Sequence, residues 1–414
     1  MTSVALIKKI KIGLNFGKNT LPIGRLAIRD SKIYFEYDAI FLTRNLNISP
    51  LTLPLQAGLQ TFDPFLFEGL PGVFNDSLPD GWGRLLLDRF LRSKNILRED
   101  ISPLDRLAQV GFTGIGALVY EPNHNIEATN EAINLNTLFT HTQEVLAGEA
   151  ENVLQELLAL NGSSTGARPK ALIGIDKARK NIIHGKQTLP DGFQYWLVKF
   201  ANSMDGRDSG AIEYVYSIMA KEAGITMTET HLFLSEHGAG YFATQRFDRN
   251  EEQRFHAHTA CGLLHSDFRT PSMDYEDLLA LTQALTRDMR EVEKMFRLAV
   301  FNVFSHNRDD HSKNFTFLMN QNGEWIASPA YDLTFSTGPN GEQSTTVMGE
   351  GKNPSLVHLI KLGVDAKISR IKIDKIIEQT RHALSQWTVL AKKYGVHQEN
   401  IDLIHRKIVT PLQT

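Results

Sequence analysis

Apolar and polar positions alternate with a period of two near the start of the chain and with helical spacing through most of its second half. Ala5–Ile12, Ile23–Ile28 and Ile33–Tyr37 read as strands, the last two joined by a turn at Asp30-Ser31. After a loop rich in Leu and Pro, Leu78-Pro79-Asp80-Gly81 predicts a helix start. Asp80 is the expected N-cap, and Leu85, Leu86, Phe90 and Leu91 form the buried face. A short helix at Asp105–Val110 and a strand at Ala117–Tyr120 follow, ended by Glu121-Pro122-Asn123. Residues 133–160 read as helical and stop at Asn161-Gly162. Ala171–Ile175 and Tyr195–Phe200 are continuous apolar runs, the pattern of buried strands. Ile212, Val215, Tyr216, Met219 and Ala220 give a helical stripe with Asp208-Ser209 as its cap. His231–Ser235 and Tyr241–Gln245 pair as a hairpin, and from 275 onward helices dominate.

The pattern breaks once, abruptly. An apolar helical run ending at Phe304 gives way to nine residues, His306 to Asn314, with no aliphatic side chain among them. Strand signals then flank an Asn322-Gly323 turn, a hairpin that brings Tyr331 nearly opposite Asn314 and returns Asp332 to where the chain left. Asp309, Asn314 and Asp332 are thereby predicted to converge. In phosphoryl-transfer enzymes an Asp receives the substrate hydroxyl proton, an Asn five residues later and an Asp beyond a hairpin hold magnesium, and a strand Lys meets the phosphates. Arg308-Asp309-x-x-x-x-Asn314 has that spacing, and hard oxygen ligands suit magnesium.

Other candidates fit the same chemistry with plainer readings beside them. Lys199 ends a buried strand, and Lys is rarely buried without a partner. Glu213, beside the stripe of the next helix, is the expected partner; the plain reading is a Glu near a helix N-terminus favoured by the dipole. Gln245 and Phe247, where the chain leaves its strand through Arg246-Phe247-Asp248-Arg249, could meet a nucleotide base; the alternative is an aromatic plug beside an exposed Arg-Asp pair. Gly162 to Lys170 is a small, hydroxyl-rich loop entering a strand. It can offer amides to phosphate but lacks both common glycine-rich signatures, and taken alone it reads as a flexible connector. His256, His258, Cys261, His265 and Asp267 lack the paired spacing of a zinc site and read as a structural loop.

Composition narrows the class. The chain has 414 residues, 42% hydrophobic and 22% charged, ordinary for two or three globular domains. A net charge of −3 provides no overall basic field for nucleic acid. One cysteine excludes an intrachain disulfide and agrees with a reducing compartment. Lysines break the apolar N-terminus, and no run long enough to span a membrane follows, so a cytoplasmic protein is expected.

Taken together, these residues resemble the HipA family of bacterial serine/threonine kinases, toxins of HipA–HipB toxin–antitoxin pairs. FEYD at 35–38 and GLPGVFNDSLPDGWGR at 69–84 resemble its N-terminal subdomain. GARPKA at 166–171, the Lys199 strand, RFDR at 246–249, RDDHSKN at 308–314 and PAYDL at 329–333 resemble its kinase core. The resemblance implies an α+β, bilobal protein-kinase-like fold. Residues 1–122 would be the N-terminal subdomain, 123–248 the nucleotide-binding lobe and 249–414 a mostly helical lobe with the catalytic loop. It implies ATP and Mg2+ as cofactors and Asp309 as catalytic base. Asn314 and Asp332 would hold the metal, with Lys199 on the phosphates and Glu213 at the nucleotide site as the ion-pair partner of Lys199. Gln245 and Phe247 would line the adenine site, and His311 and Lys313 would bind phosphate. Ser164, Thr165, Gly166, Ala167, Arg168 and Lys170 would form the phosphate loop, and Ser163 the autophosphorylated position, with Ser164 and Thr165 as neighbouring hydroxyls. Arg168-Pro169 departs from the polar and acidic pair of some members. Implied partners are a HipB-like helix-turn-helix antitoxin, operator DNA through that complex, and a protein substrate of the aminoacyl-tRNA synthetase class, with no membrane. Two competing readings remain: a catalytically inactive DNA-bound corepressor, and a metal-dependent hydrolase using His306, Asp309, Asp310 and His311.

Overall fold

The computed structural model describes residues 7–125, 132–148, 153–161, 166–185, 188–202, 205–270 and 272–413. The chain divides into two compact units. One comprises 1–204, 243–258 and 319–323; the other comprises 205–242, 259–318 and 324–414. The expected α+β class holds: antiparallel sheets dominate the first unit and helices the second.

In the first unit, β1 (Lys9–Asn15), β2 (Thr20–Arg29), β3 (Lys32–Tyr37), β4 (Gln60–Thr61) and β5 (Leu118–Glu121) form a sheet in the order β4-β3-β2-β1-β5. Alternation dictates its face: Ile10, Ile12 and Leu14 of β1 are buried along with Leu26 of β2 and Phe35 of β3. The predicted Asp30-Ser31 turn has both residues at positive φ, 51° and 57°, the twist that suits a two-residue hairpin. The helix Gly81–Ser93 buries Trp82, Leu86 and Leu87. The helix Pro103–Val110 begins with a capping box between Ser102 and Asp105.

A second sheet in this unit runs β7-β6-β8, from Ile182–His184, Lys170–Asp176 and Phe193–Lys199, and continues onto Ala243–Gln245. Its central strand β6 is buried at six consecutive residues, as a strand covered on both faces must be. The pairing sets Lys170 directly opposite Lys199.

The second unit packs the helix Ser209–Glu222 and the helix Met289–Phe304 among the helices Tyr275–Thr286, Arg370–Ser385 and Trp387–Lys393. Tyr216, Tyr275, Phe296, Phe301 and Trp387 fill its core. Tyr216 donates to the Ser305 carbonyl at 2.6 Å, fixing the end of the long helix. Asp208 stands at the N-cap position predicted for it but makes no capping bond there. Its carboxylate accepts instead from His397 N at 2.8 Å and Asn400 Nδ2 at 3.0 Å, a long-range tie that local sequence does not reveal.

Candidate active site

The long helix ends because His306 adopts a left-handed φ of 55°. Its ring stacks on Phe335 at 5.3 Å, and its backbone pairs with Ser336. From there the polar stretch is built almost residue by residue onto buried partners. Asn307 is tied to Asn302 through Nδ2 at 3.0 Å and through its amide at 2.9 Å. The Arg308 carbonyl accepts from Ser344 Oγ at 2.9 Å. Ser312 Oγ donates to the Ser266 carbonyl at 3.0 Å. Asp309 is exposed, between buried Asn307 and buried Asp310.

Asp310 is fully buried and accepts four bonds: from Tyr275 Oη at 2.7 Å, Gln343 Nε2 at 2.9 Å, Ser344 N at 2.9 Å and Thr345 N at 3.2 Å. Burial pushes its carboxyl up to about 6, against the lowering effect of the Tyr275, Thr345 and Gln343 bonds. The hydrolase reading is corrected on this point. Asp310 is consumed by the segment 343–345, and burial, then the charge of Arg308, lowers the pKa of His306. Among the described residues no group of three or more His, Cys, Asp or Glu could hold a metal ion.

Asn314 N donates to the His311 carbonyl at 2.8 Å, closing a short turn. Asn314 Nδ2 donates to the Asp309 carbonyl at 2.7 Å, which leaves its amide oxygen as the atom suited to a cation. Beyond Asn314, Thr316–Met319 and Trp325–Ala327 form the predicted hairpin, with Ser328 N bonded to the Thr316 carbonyl at 2.9 Å. The return is secured by Tyr331, whose hydroxyl reaches the Lys313 carbonyl at 2.6 Å and Thr316 Oγ1 at 2.6 Å. Asp332 follows directly, at a left-handed φ of 58° that a non-glycine residue adopts rarely. Lys313 Nζ lies 4.7 Å from the centre of the Phe268 ring, and the His311 ring lies 5.3 Å from it. His311 Nδ1 is buried with no hydrogen-bond partner among the described residues.

The remaining candidates are placed as follows. Glu213 is buried, the fifth residue of its helix, in the second unit. Lys170 and Lys199 sit opposite one another in the first unit. Gln245 and Phe247 are half-buried. Gln245, Tyr195 and Arg249 line a cleft of about 890 Å3 in the same unit, to which Phe247, Lys170 and Lys199 do not contribute. Gly166, Ala167 and Arg168 are placed just before β6, whereas Ser163, Ser164 and Thr165 lie outside the described residues.

The RFDR stretch departs from the expectation of an exposed Arg-Asp pair. Arg246, Asp248 and Arg249 are all buried. Arg246 grips Asp248 through Nε at 2.9 Å and Nη2 at 2.6 Å, and Asp248 also accepts from Gly116 N at 2.7 Å. Arg249 donates to the Gly114 carbonyl and Arg254 to the Gly116 carbonyl, at 3.1 Å and 2.7 Å. Burial pushes the Asp248 carboxyl up, but the charge and hydrogen bond of Arg246, the charge of Arg249 and the Gly116 amide together outweigh it and hold the group at about 2. The His256 to Asp267 stretch is not a loop: it supplies the strand His256–Thr259 and the helix Ala260–Leu264. His258 is spent on Asp76 and Ser49, at 2.6 Å and 2.9 Å.

Sequence reasoning missed three residues: Asp310 as an anchor, Tyr331 as the tie that returns the chain, and Asp80, described below. Each was visible as a residue type, but its partner lies from 15 to 86 positions away.

Comparisons with known proteins bear on the whole chain. The family model for the HipA-like C-terminal domain matches residues 162–387, and that for the HipA N-terminal domain matches residues 16–121. No curated protein is significantly similar in sequence. Among solved structures, HipA from the toxin–antitoxin system of Shewanella oneidensis MR-1, in complex with HipB and its operator DNA, is similar with a TM-score of 0.69 and 15% identity. The match covers 98% of this chain and 96% of that one, and shows a shared fold. The proinflammatory kinase CtkA of Helicobacter pylori matches with a TM-score of 0.33 and 12% identity over 54% of this chain and 90% of its own, too weak to carry an argument.

Proposed function

The chain belongs to the HipA family, and from that premise we propose that it is a protein kinase, transferring the γ-phosphoryl group of ATP to a serine or threonine hydroxyl in a magnesium-dependent reaction. The observation that carries this reading is a single exposed carboxylate, Asp309, held between buried and bonded neighbours, with the Asn314 side chain locked to its own carbonyl.

Asp309 accepts the hydroxyl proton of the substrate. Asn314 Oδ1 and the Asp332 carboxylate are the oxygen donors that would hold magnesium, a set of the size that this ion accepts from protein. When bound, magnesium neutralises charge on the phosphates. Lys199, and Lys170 with the loop Ser164–Arg168, hold the phosphates, as do His311 and Lys313, and Glu213 serves the same nucleotide. Gln245 and Phe247 hold the base. Ser163 or an adjacent hydroxyl takes the γ-phosphoryl group of ATP in the enzyme's reaction on its own chain, releasing ADP. The partners this reading carries are a HipB-type antitoxin, operator DNA through it, and an aminoacyl-tRNA synthetase as protein substrate. Domain limits at 122 and 248 go with it.

Mass spectrometry of the loop at 163–165 comes first, because a phosphorylated loop would itself block nucleotide. With dephosphorylated protein, Mg-ATP at a hundred times its dissociation constant should stabilise the fold by about 2.7 kcal/mol. Label from γ-labelled ATP should then appear on the loop. The absence of both stabilisation and label with dephosphorylated protein would refute the kinase and favour a corepressor.

A further inference from the structure

The motif at 78–82 was expected to start a helix with Asp80 as its cap. Asp80 does occupy that position, yet its side chain makes no capping bond to the helix it precedes. Its Oδ1 accepts instead from the backbone amide of Gly166, 86 residues later. Trp82 N donates to the carbonyl of the same residue at 3.0 Å, so both faces of the Gly166 backbone are held by one turn. Gly81 between them has a φ of 43°. A Cβ there would lie 2.5 Å from Gly166 O and 2.7 Å from Ala167 Cα, so only glycine permits the approach. On its other side Gly166 meets the ammonium of Lys170, which a Cβ on Gly166 would strike. All of these residues belong to the first unit.

From this geometry we infer that Asp80 and Gly81 are positioning residues for nucleotide binding: the LPDGW turn sets the backbone at Gly166–Ala167 and, through it, the seat of the Lys170 ammonium. The inference rests on the proposed role of Lys170 and its loop toward the ATP phosphates. Because Asp80 gives no capping bond to its own helix, replacing it removes the latch without removing a helix cap. A bond to a charged acceptor is among the stronger kinds, and an amide that loses it is exposed to exchange.

The test combines hydrogen exchange at the Gly166 amide with Mg-ATP binding by calorimetry, both on the full chain. Asp80→Ala should speed exchange at Gly166 and weaken Mg-ATP binding, each by about tenfold. Asp80→Asn keeps an acceptor oxygen and should recover most of both. Gly81→Ala, an independent perturbation of the same contact, should reproduce the loss, and it decides the matter if Asp80→Ala does not fold. Unchanged exchange in a folded variant overturns the latch. Faster exchange with unchanged affinity overturns the positioning role, as does an Asp80→Asn protein as impaired as Asp80→Ala. Failure of the wild-type chain to bind Mg-ATP would refute the nucleotide reading itself, while the exchange data would still report on the latch.

Discussion

Two charged stretches interrupt apolar elements in this chain, and they do opposite things with their charge. Residues 246–254 bury Arg246, Asp248, Arg249 and Arg254 and spend them on one another and on the carbonyls of Gly114 and Gly116. Residues 306–314 bury most of their polar groups too, but in order to hold one carboxylate, Asp309, out in solvent. Charge that is desolvated and paired holds backbone in place; a charge left in contact with solvent keeps its hydration and can meet a substrate there. Composition does not separate the two cases. The partner of each charge does.

The largest effect that would sharpen this contrast is on activity. Asp309→Gln should lower phosphoryl transfer by about 10²–10⁴-fold while leaving the denaturant midpoint unchanged. Retained transfer would break the assignment, and a large loss of stability would show that Asp309 is architectural like Asp248. Asp248→Ala should do the reverse, costing about 3–5 kcal/mol in urea unfolding because it strands buried guanidinium groups.

The two buried aspartates also predict opposite responses to pH. Asp248 has its folded pKa lowered to about 2, so its contribution is present above the ordinary carboxylate value and is lost as pH falls toward 2. Asp310 has its folded pKa raised to about 6, so its contribution is present below the ordinary value and is lost as pH rises from about 4 to 6, by roughly 3 kcal/mol. Unfolding measured across that window should show Asp310→Asn closing its stability gap to the wild type as pH rises. A gap independent of pH would refute the raised value. The smallest effect is that of Tyr331→Phe, which removes the hydroxyl joining Lys313 and Thr316. It should cost about 1 kcal/mol of stability and lower activity without abolishing it, because Asp332 loses its tether.

What the amino-acid order determined by itself was local: the alternation of β1 to β3, the Asp30-Ser31 turn, the continuous apolar run of β6, and the hairpin that returns the chain from Asn314 toward Asp332. Each depends on neighbours within a few positions, where periodicity and turn chemistry act directly. Tertiary structure decided where the polar groups are spent. Asp80 and Asp208 both stand where a cap belongs, yet one holds Gly166 and the other His397 and Asn400. Asp309 and Asp310 are chemically identical neighbours, and only the approach of Tyr275 and residues 343–345 buries one and leaves the other exposed. A carboxylate binds whichever donors the fold brings within reach, and those donors lie too far along the chain for local pattern to specify.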